Sequence, residues 1–494
     1  AEPRWSWPAA KMRAAIPSVE AGGRPLGAGR LQTLRLPLRL LLLLGARPRG
    51  TAGSNAEVDG GCDPDKIFAL PVSEECPGKV GGVDWAAFSG ELYDARNLVM
   101  GVALEMARAK LAALARLAMS SAAAALSCPA GPAAAFHSLA QVLGAEQRPR
   151  GHTLALLHLA LTFLPPRTHR ECTQWPLQGR ELSFALLSLL SVPPASTGWT
   201  ATAAAQASGS RSRVAVVTAC AGVHDGIARA LSEENRQLYA ALHGYGLHFF
   251  HNAAEILAGW RPLSGANTTS GNSPAFWRAL AVQRVLEGPE RYDWALWLDC
   301  EAMLTDPART VASVLEANGV PPDGGQVSMV LAASGLGAQA EAWLLRDSPW
   351  SRGFLRRWTS RVPGLPAAAL GEQATLRHAL LPHWEAWQHG NAIYDWEAVA
   401  WPAEVRLVPP GALLSPESPE PAYLPAPLAR TWREGDFAWH DASCRRGGAG
   451  SSAANAQEAA QRVELCQRRL LLARDVFLRR IPSDATVPGM ALAK

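Results

Sequence analysis

The chain is 494 residues long and 48% hydrophobic, with a formal net charge of +4. That length exceeds one ordinary compact domain and calls for two, or for one domain with poorly packed flanks. The charge gives no case for a nucleic-acid partner, and the eight cysteines, with no Cys-x-x-Cys spacing among them, argue against a structural zinc site.

Residues 1–50 carry nine Lys/Arg against Glu2 and Glu20, and read as a basic targeting segment. Their unbroken apolar run, 40–44, is far shorter than the ~20 residues that span a bilayer. Residues 1–50 therefore resemble a truncated signal-anchor, through which membrane anchoring is an expectation. Residues 51–212 form a second region. It is turn-rich to about 84, helical and Ala/Leu-rich over about 85–126, then broken by prolines between apolar pieces such as HTLALLHLALTFL and ELSFALLSLLSV. Packed helices or a disordered insert both fit those pieces, and 200–212 reads as a linker.

From 213 the texture becomes that of an α/β domain running to about 480, with 481–494 as a tail. RVAVVTAC (213–220) is a β-branched run typical of a buried parallel strand. A helix over 225–243, a strand at 246–250 and a helix over 274–287 with Pro274 in its first turn follow. Next come a strand at 294–298, a helix over 307–318, strands at 327–333 and 340–346, and helices over 348–361 and 371–381. Residues 409–427 are Pro-rich and read as loop, 434–444 contain a short strand, and 456–480 form a basic closing helix. Strands alternating with helices predict a parallel-rich sheet. The sequon Asn267-Thr268-Thr269 falls in a polar Gly/Ser-rich stretch. Cys444 and Cys466 flank one late segment and fit either a disulfide or two thiols.

Within the strand at 294–298 and its sequel, DWALWLDCEAMLTDP, two carboxylates follow the apolar run at once, Asp299 and Glu301. In extended chain, side chains at i and i+2 project to one face. Both acids are thus offered at the carboxyl end of a buried strand, where open α/β sheets place ligands, and they suit a hard divalent cation. A strand end capped by solvated acids fits the same spacing.

DWALWLDCEAMLTDP, GDFAWHDASC (435–444), VVTAC, HGYGLHF, PAFWRALAVQRVL, LLRDSPWSRGFLRRW and GEQATLRHALL occur in an order that resembles glycosyltransferase family 34. That family includes fungal Golgi α-galactosyl- and α-mannosyltransferases and plant xyloglucan xylosyltransferases. The resemblance implies a GT-A-type, Rossmann-like α/β fold over 213–480, a type II placement with a lumenal domain in the Golgi, and a nucleotide-sugar donor such as a UDP-sugar or GDP-sugar. A glycan acceptor and retention of anomeric configuration are further implications. Asp299, Glu301 and His440 would hold the metal, and an imidazole among carboxylates favours Mn²⁺ over Mg²⁺. Glu372 and Gln373 would lie beside the anomeric carbon, and Arg445 would face the diphosphate. Thr218 and Ala219 would dock the base and ribose by analogy of fold. Homo- or hetero-oligomerisation is open. The chain departs from the family in carrying Glu301 where the family has Asp, and Ser334-Gly335-Leu336-Gly337 where it has Asn-x-Gly. The segment 404–417 likewise has no counterpart of the family's Gln-Arg-x-x-Asn-type motif. A degenerate GT-A module that binds nucleotide, glycan or a partner without turnover is the other reading.

Overall fold

Apolar side chains alternate between two faces along the central strands, and that alternation builds the layers. In the computed structural model, the described residues are 78–119, 128–163, 212–220, 226–259, 274–334, 337–359, 375–381, 400–416, 431–441 and 456–483, less a few single positions. They belong to one unit, Ala52–Lys494.

A small hairpin, β1 (Lys79–Val80) and β2 (Val83–Asp84), leads into helices α1 (Trp85–Met100), α2 (Leu104–Ala118), α3 (Ala130–Ala145) and α4 (Arg150–Thr162). Asp84 starts α1 by accepting a hydrogen bond from Ala87 N at 3.1 Å. The alternating part contains β3 (Val214–Ala219), α5 (Gly226–His243), β4 (Gly246–Phe250), α6 (Ala253–Leu257), α7 (Pro274–Leu286) and β5 (Trp294–Leu298). Then come β6 (Ala302–Leu304), α8 (Val311–Ala317), β7 (Met329–Ser334), β8 (Gly337–Arg346), α9 (Pro349–Thr359) and β9 (Val405–Val408). The last elements are β10 (Ser415–Pro416), β11 (Ala438–His440) and α10 (Ala456–Arg479). None of the helices among the described residues is long and apolar enough to cross a membrane.

The main sheet has the order β4-β3-β5-β8-β7-β9. Its pairings are parallel except where β8 runs against β5 and β7. The fold is therefore mixed α/β with a parallel-rich sheet. The sequence pattern does not reveal the reversal of β8, because a strand buried on both faces reads as a continuous apolar run in either direction. Val214, Val216, Trp294, Leu296 and Leu298 face one buried cluster with α5, α8 and Phe477 of α10. Ala215, Val217, Ala295 and Trp297 face another, which takes in α7, α9 and helices α1 to α4. A column of rings crosses the second cluster, with Trp297 stacked on Trp343 at 6.0 Å and Trp343 against Trp358 at 5.7 Å. Such pairs contribute about 0.5–1.5 kcal/mol beyond their burial.

Two local expectations change. The helix expected over 307–318 begins only at Val311, because Thr310 caps it by accepting from Ser313 N at 3.0 Å and Asp306 holds the preceding turn. The Pro-rich stretch at 409–427 contributes strand β10, which pairs in parallel with β11. Pro416 is tolerated there because β10 is an edge of its sheet. The helix expected over 371–381 is described only in part.

The helical layer meets the sheet through His158 of α4. Ala338 N donates to His158 Nε2 at 3.3 Å, so Nε2 carries no proton and Nδ1 donates to Leu154 O at 2.9 Å. Gly337 has φ +94°, and a Cβ there would fall 2.8 Å from His158 Nε2, so both backbone and contact call for glycine. Burial first, and then the Arg377 charge, push the His158 imidazole down to about 3. The folded value lies below the unfolded one, so the unfolded chain binds the proton more tightly. Stability contributed by this site is then full above about pH 6.5 and is lost as pH falls towards about 3. About 2 kcal/mol should be gone at pH 5. Urea midpoints measured between pH 7.5 and 5 should fall in the native protein and flatten in His158→Gln.

Candidate functional site

Strand β5 ends at Leu298, and the chain turns at once. Asp299 N donates to Glu341 O of β8 at 2.8 Å, and Ala302 N closes back onto Asp299 O at 3.0 Å. Residues 299–302 thus form a turn between β5 and β6, not the extended continuation that the i, i+2 argument assumed. The two carboxylates converge because the turn folds them together.

A second, three-stranded sheet brings in the third group. Its order is β10-β11-β6, with β11 antiparallel to β6 in a register that sets His440 opposite Ala302, the residue after Glu301. The Gly-Asp-Phe segment before β11 has identifiable work. Gly435 has φ +100°, which L side chains avoid. The Asp436 carboxylate accepts from Ser415 Oγ at 2.8 Å and Arg433 N at 2.9 Å, and Asp436 O accepts from Thr305 Oγ1 at 2.7 Å. Phe437 is fully buried, with the Arg309 guanidinium 5.6 Å from its ring centre. Those contacts fix the position of β11, and with it His440.

The result is a cluster in which one ligand atom each from Asp299, Glu301 and His440 lie within 4.8 Å of one another. The three residues are 3, 4 and 7% exposed. Two carboxylates and an imidazole at that spacing fit a divalent cation of the Mn²⁺ type. The extra methylene of Glu301 does not keep its oxygen from the other two groups.

Asp299 is held from two sides: Arg278 of α7 donates to Oδ2 at 2.7 Å, and Trp297 Nε1 donates to Oδ1 at 3.0 Å. These two bonds do not by themselves use up the acceptor capacity of a carboxylate, which has about four lone-pair sites. The turn itself is gripped by Arg236 of α5, which is wholly buried. Its guanidinium donates to Asp299 O at 2.7 Å, to Ala302 O, to Thr218 Oγ1 at 3.2 Å and to Ser232 O at 3.2 Å. Burial pulls the Arg236 pKa down to about 9, with the Asp299 and Glu301 charges acting against that, so it stays cationic near neutrality. Its neighbour Asn235 acts like a strand edge towards β6: Nδ2 donates to Leu304 O at 3.0 Å and Oδ1 accepts from Leu304 N at 2.9 Å. A disulfide joins Cys300, between the two acids, to Cys220, just past β3.

Thr218 is fully buried, and its hydroxyl donates to Leu298 O at 2.9 Å while accepting from Arg236. Its side chain braces the turn, and Ala219, half-buried, is what the end of β3 offers outward. Glu372, Gln373 and Arg445 lie outside the described residues, as do Cys444 and Asn267. Cys466 is disulfide-bonded, as is Cys128, which excludes the alternative in which Cys466 is a free thiol.

Sequence reasoning missed Arg236, Asn235, Arg278 and the Cys220–Cys300 bond. A signal existed for the first two. The buried stripe of α5 runs Ala228, Leu231, Ser232, Asn235, Arg236, Tyr239, and polar residues on the core face of a helix need partners. Arg278, like Gln283, is a buried polar residue on a largely apolar helix.

No family model and no curated protein matches the chain. Among solved structures, it is similar to the crystal structure of a glycosyltransferase involved in the glycosylation of the major capsid of PBCV-1. The TM-score is 0.33 and the identity 13%, over 52% of this chain and 99% of that one.

Proposed function

We propose that this chain is a metal-dependent glycosyltransferase of the GT-A type, related to family 34. In this reading it moves a galactosyl, xylosyl or mannosyl residue from a UDP-sugar or GDP-sugar to a glycan with retention of configuration. The observation that carries the reading is the convergence of Asp299, Glu301 and His440 at the carboxyl end of β5, where open α/β sheets bind their ligands. A Mn²⁺ held there would neutralise charge on the departing diphosphate. This chain's own residues would do the rest by positioning. Arg278 and Trp297 hold the Asp299 carboxylate in one orientation, and Arg236 fixes the turn. The end of β3 offers the nucleotide backbone groups and the small Ala219 side chain, with Thr218 supporting from below. The acceptor hydroxyl would attack the anomeric carbon on the side the nucleotide leaves. The bond to the diphosphate breaks as the new glycosidic bond forms, and the leaving phosphate takes the hydroxyl proton. Glu372 and Gln373 are proposed beside the sugar, and Arg445 beside the diphosphate.

A lumenal, oxidising compartment such as the Golgi fits the Cys220–Cys300 bond and the half-cystines Cys128 and Cys466. Anchoring through residues 1–50 belongs to the same proposal. Glu301 in place of the family's Asp, and the missing acceptor-side Asn, favour a second reading: a module that binds donor without transferring it.

Mn²⁺ with UDP is expected to stabilise the folded protein by about 2.7 kcal/mol at a hundred times its Kd. Asp299→Ala and His440→Ala should each remove that gain in thermal melts. If no nucleoside diphosphate with Mn²⁺ shifts the melting temperature, both readings fail. Release of sugar from UDP-galactose, UDP-xylose, UDP-glucose or GDP-mannose then separates the enzyme from the binding module.

A further inference from the structure

The closing helix α10 has two unlike faces. Over its 24 residues, about 36 Å of length, it turns Cys466, Leu470, Ala473, Val476 and Phe477 into the core. The charges that flank this inner face reach partners in the same chain. Arg469 meets Asp441 at 2.9 Å, Arg474 meets Glu234 at 2.8 Å, and Arg480, just past the helix, meets Asp306 at 3.2 Å. A helix packed on one side ordinarily shows polar residues on the other. Here Leu465, Leu471 and Leu472 are exposed as well, Leu472 by 56%. One exposed leucine needs no explanation. Three of them on one helix, framed by charges in a particular order, do.

That order is Glu464, Arg468, Leu471, Leu472, Asp475, Arg479, all exposed. Arg468 and Asp475 are equally far from the point midway between Leu471 and Leu472, and so are Glu464 and Arg479. Each symmetric pair has opposite charges. A second α10 laid antiparallel on the first, with a two-fold axis through that midpoint, therefore sets Arg468 against Asp475 of the second copy. It also sets Glu464 against Arg479 of the second copy, and symmetry makes each contact twice. Leu471 and Leu472 meet their own counterparts at the axis. The charges specify this register against its neighbours. Sliding the copies by one turn sets Arg468 against Arg479 or Glu464 against Asp475, and in-register parallel pairing sets every charge against its like. From this self-complementarity we infer that the outer face of α10 is a dimer interface, whose partner is a second copy of this chain.

Within one chain the same charges make only exposed contacts along the helix, Arg468 to Glu464 at 2.5 Å and Asp475 to Arg474 at 3.8 Å. Such pairs hold their partners weakly, and a carboxylate accepts more than one donor, so docking adds to them without breaking them. A helix face about 36 Å long and about 10 Å wide buries well under the ~1,600 Å² of a standard interface. The dimer is therefore concentration-dependent, with a Kd in the micromolar range. Its exposed ion pairs make it weaken as salt is raised.

Sedimentation equilibrium of the full chain across the micromolar range tests this, with circular dichroism to confirm native helix content in each variant. The native mass should rise with concentration from that of the monomer towards twice that value. Arg468→Asp and Asp475→Arg each place two like-charge contacts across the axis and should weaken dimerisation at least about tenfold. Combined in one chain they restore opposite charges and should restore the native Kd. The two single variants, each monomeric alone, should dimerise when mixed, because each supplies the charge the other lacks. Leu472→Glu, which leaves those charges untouched, should also give a monomer. A native chain that stays monomeric throughout the range overturns the inference. So does a native dimer that survives both charge reversals and Leu472→Glu, or a mixture of the two single variants that stays monomeric.

Discussion

Replacing Arg236 by leucine is expected to destabilise the chain by about 3–5 kcal/mol, the range for breaking a buried, hydrogen-bonded charge network from one side. Leucine fills part of the volume but donates nothing. Asp299 O, Ala302 O and Thr218 Oγ1 would each lose a donor they have in the native protein, and little water can reach them because Arg236 is wholly buried. Asp299 O keeps the Ala302 N–H and the Thr218 hydroxyl keeps Leu298 O, so the loss is one of charged donors, each worth about 1.5–3 kcal/mol, and two or three of them suffice for the effect. The electrostatics move the same way, since Asp299 and Glu301 would both lose the nearby Arg236 charge. Urea unfolding should show the loss as a lowered midpoint at unchanged slope. Arg236→Lys should recover only part of it, because one ammonium cannot match a planar fork that reaches three carbonyls and a hydroxyl. Should Arg236→Leu unfold at the native midpoint, the turn is held by something other than this guanidinium.

The case of Arg236 also marks the limit of what was legible in the sequence. Strands β3, β4 and β5 could be read from β-branched and aromatic runs between turn residues, and β5 lies where its apolar run predicts, at Trp294–Leu298. Asp299 and Glu301 could be picked out because they break that run abruptly, and His440 only because GDFAWHDASC resembles a family signature. The physical reason for their meeting could not be read. β11 is three residues long and β6 is three residues long, too short to carry a period, and their register is a tertiary fact. The reversal of β8 was hidden by its burial on both faces. The contact between α4 and the sheet depends on His158 reaching a glycine at φ +94°, and nothing local to either residue announces the other. Arg236 and Asn235 occupied an intermediate position. The period of α5 placed them on its core face, but only the fold supplies the carbonyls that make a buried guanidinium tolerable there.

Removing the Cys220–Cys300 bond is the second change expected to have a large effect, and it bears on stability and on the site together. The bond closes a segment of 80 residues, for which chain entropy alone gives a loss of about 4.5 kcal/mol when it is opened. Both cysteines are nearly inaccessible, at 2% and 3% exposure, so dithiothreitol should act only through opening of the fold, and reduction should be slow under native conditions and fast in mild urea. The paired substitution Cys220→Ser with Cys300→Ser avoids leaving a lone thiol and should lower the urea midpoint accordingly. Its effect on the site should exceed what the stability change explains. Cys300 stands between the two acids of the cluster, and Cys220 follows the strand whose Thr218 braces the same turn, so the bond ties the end of β3 to the turn that carries the acids. In the variant under conditions where circular dichroism shows native helix content, Mn²⁺ affinity in the presence of UDP should fall by at least about tenfold, the equivalent of 1.4 kcal/mol of lost preorganisation. Native Mn²⁺ affinity in the folded variant would assign the geometry of the turn to Arg236 and Asn235 alone. Loss of affinity would mean that oxidation of this one pair is part of how the site is made, and that a chain folded in a reducing compartment would lack it.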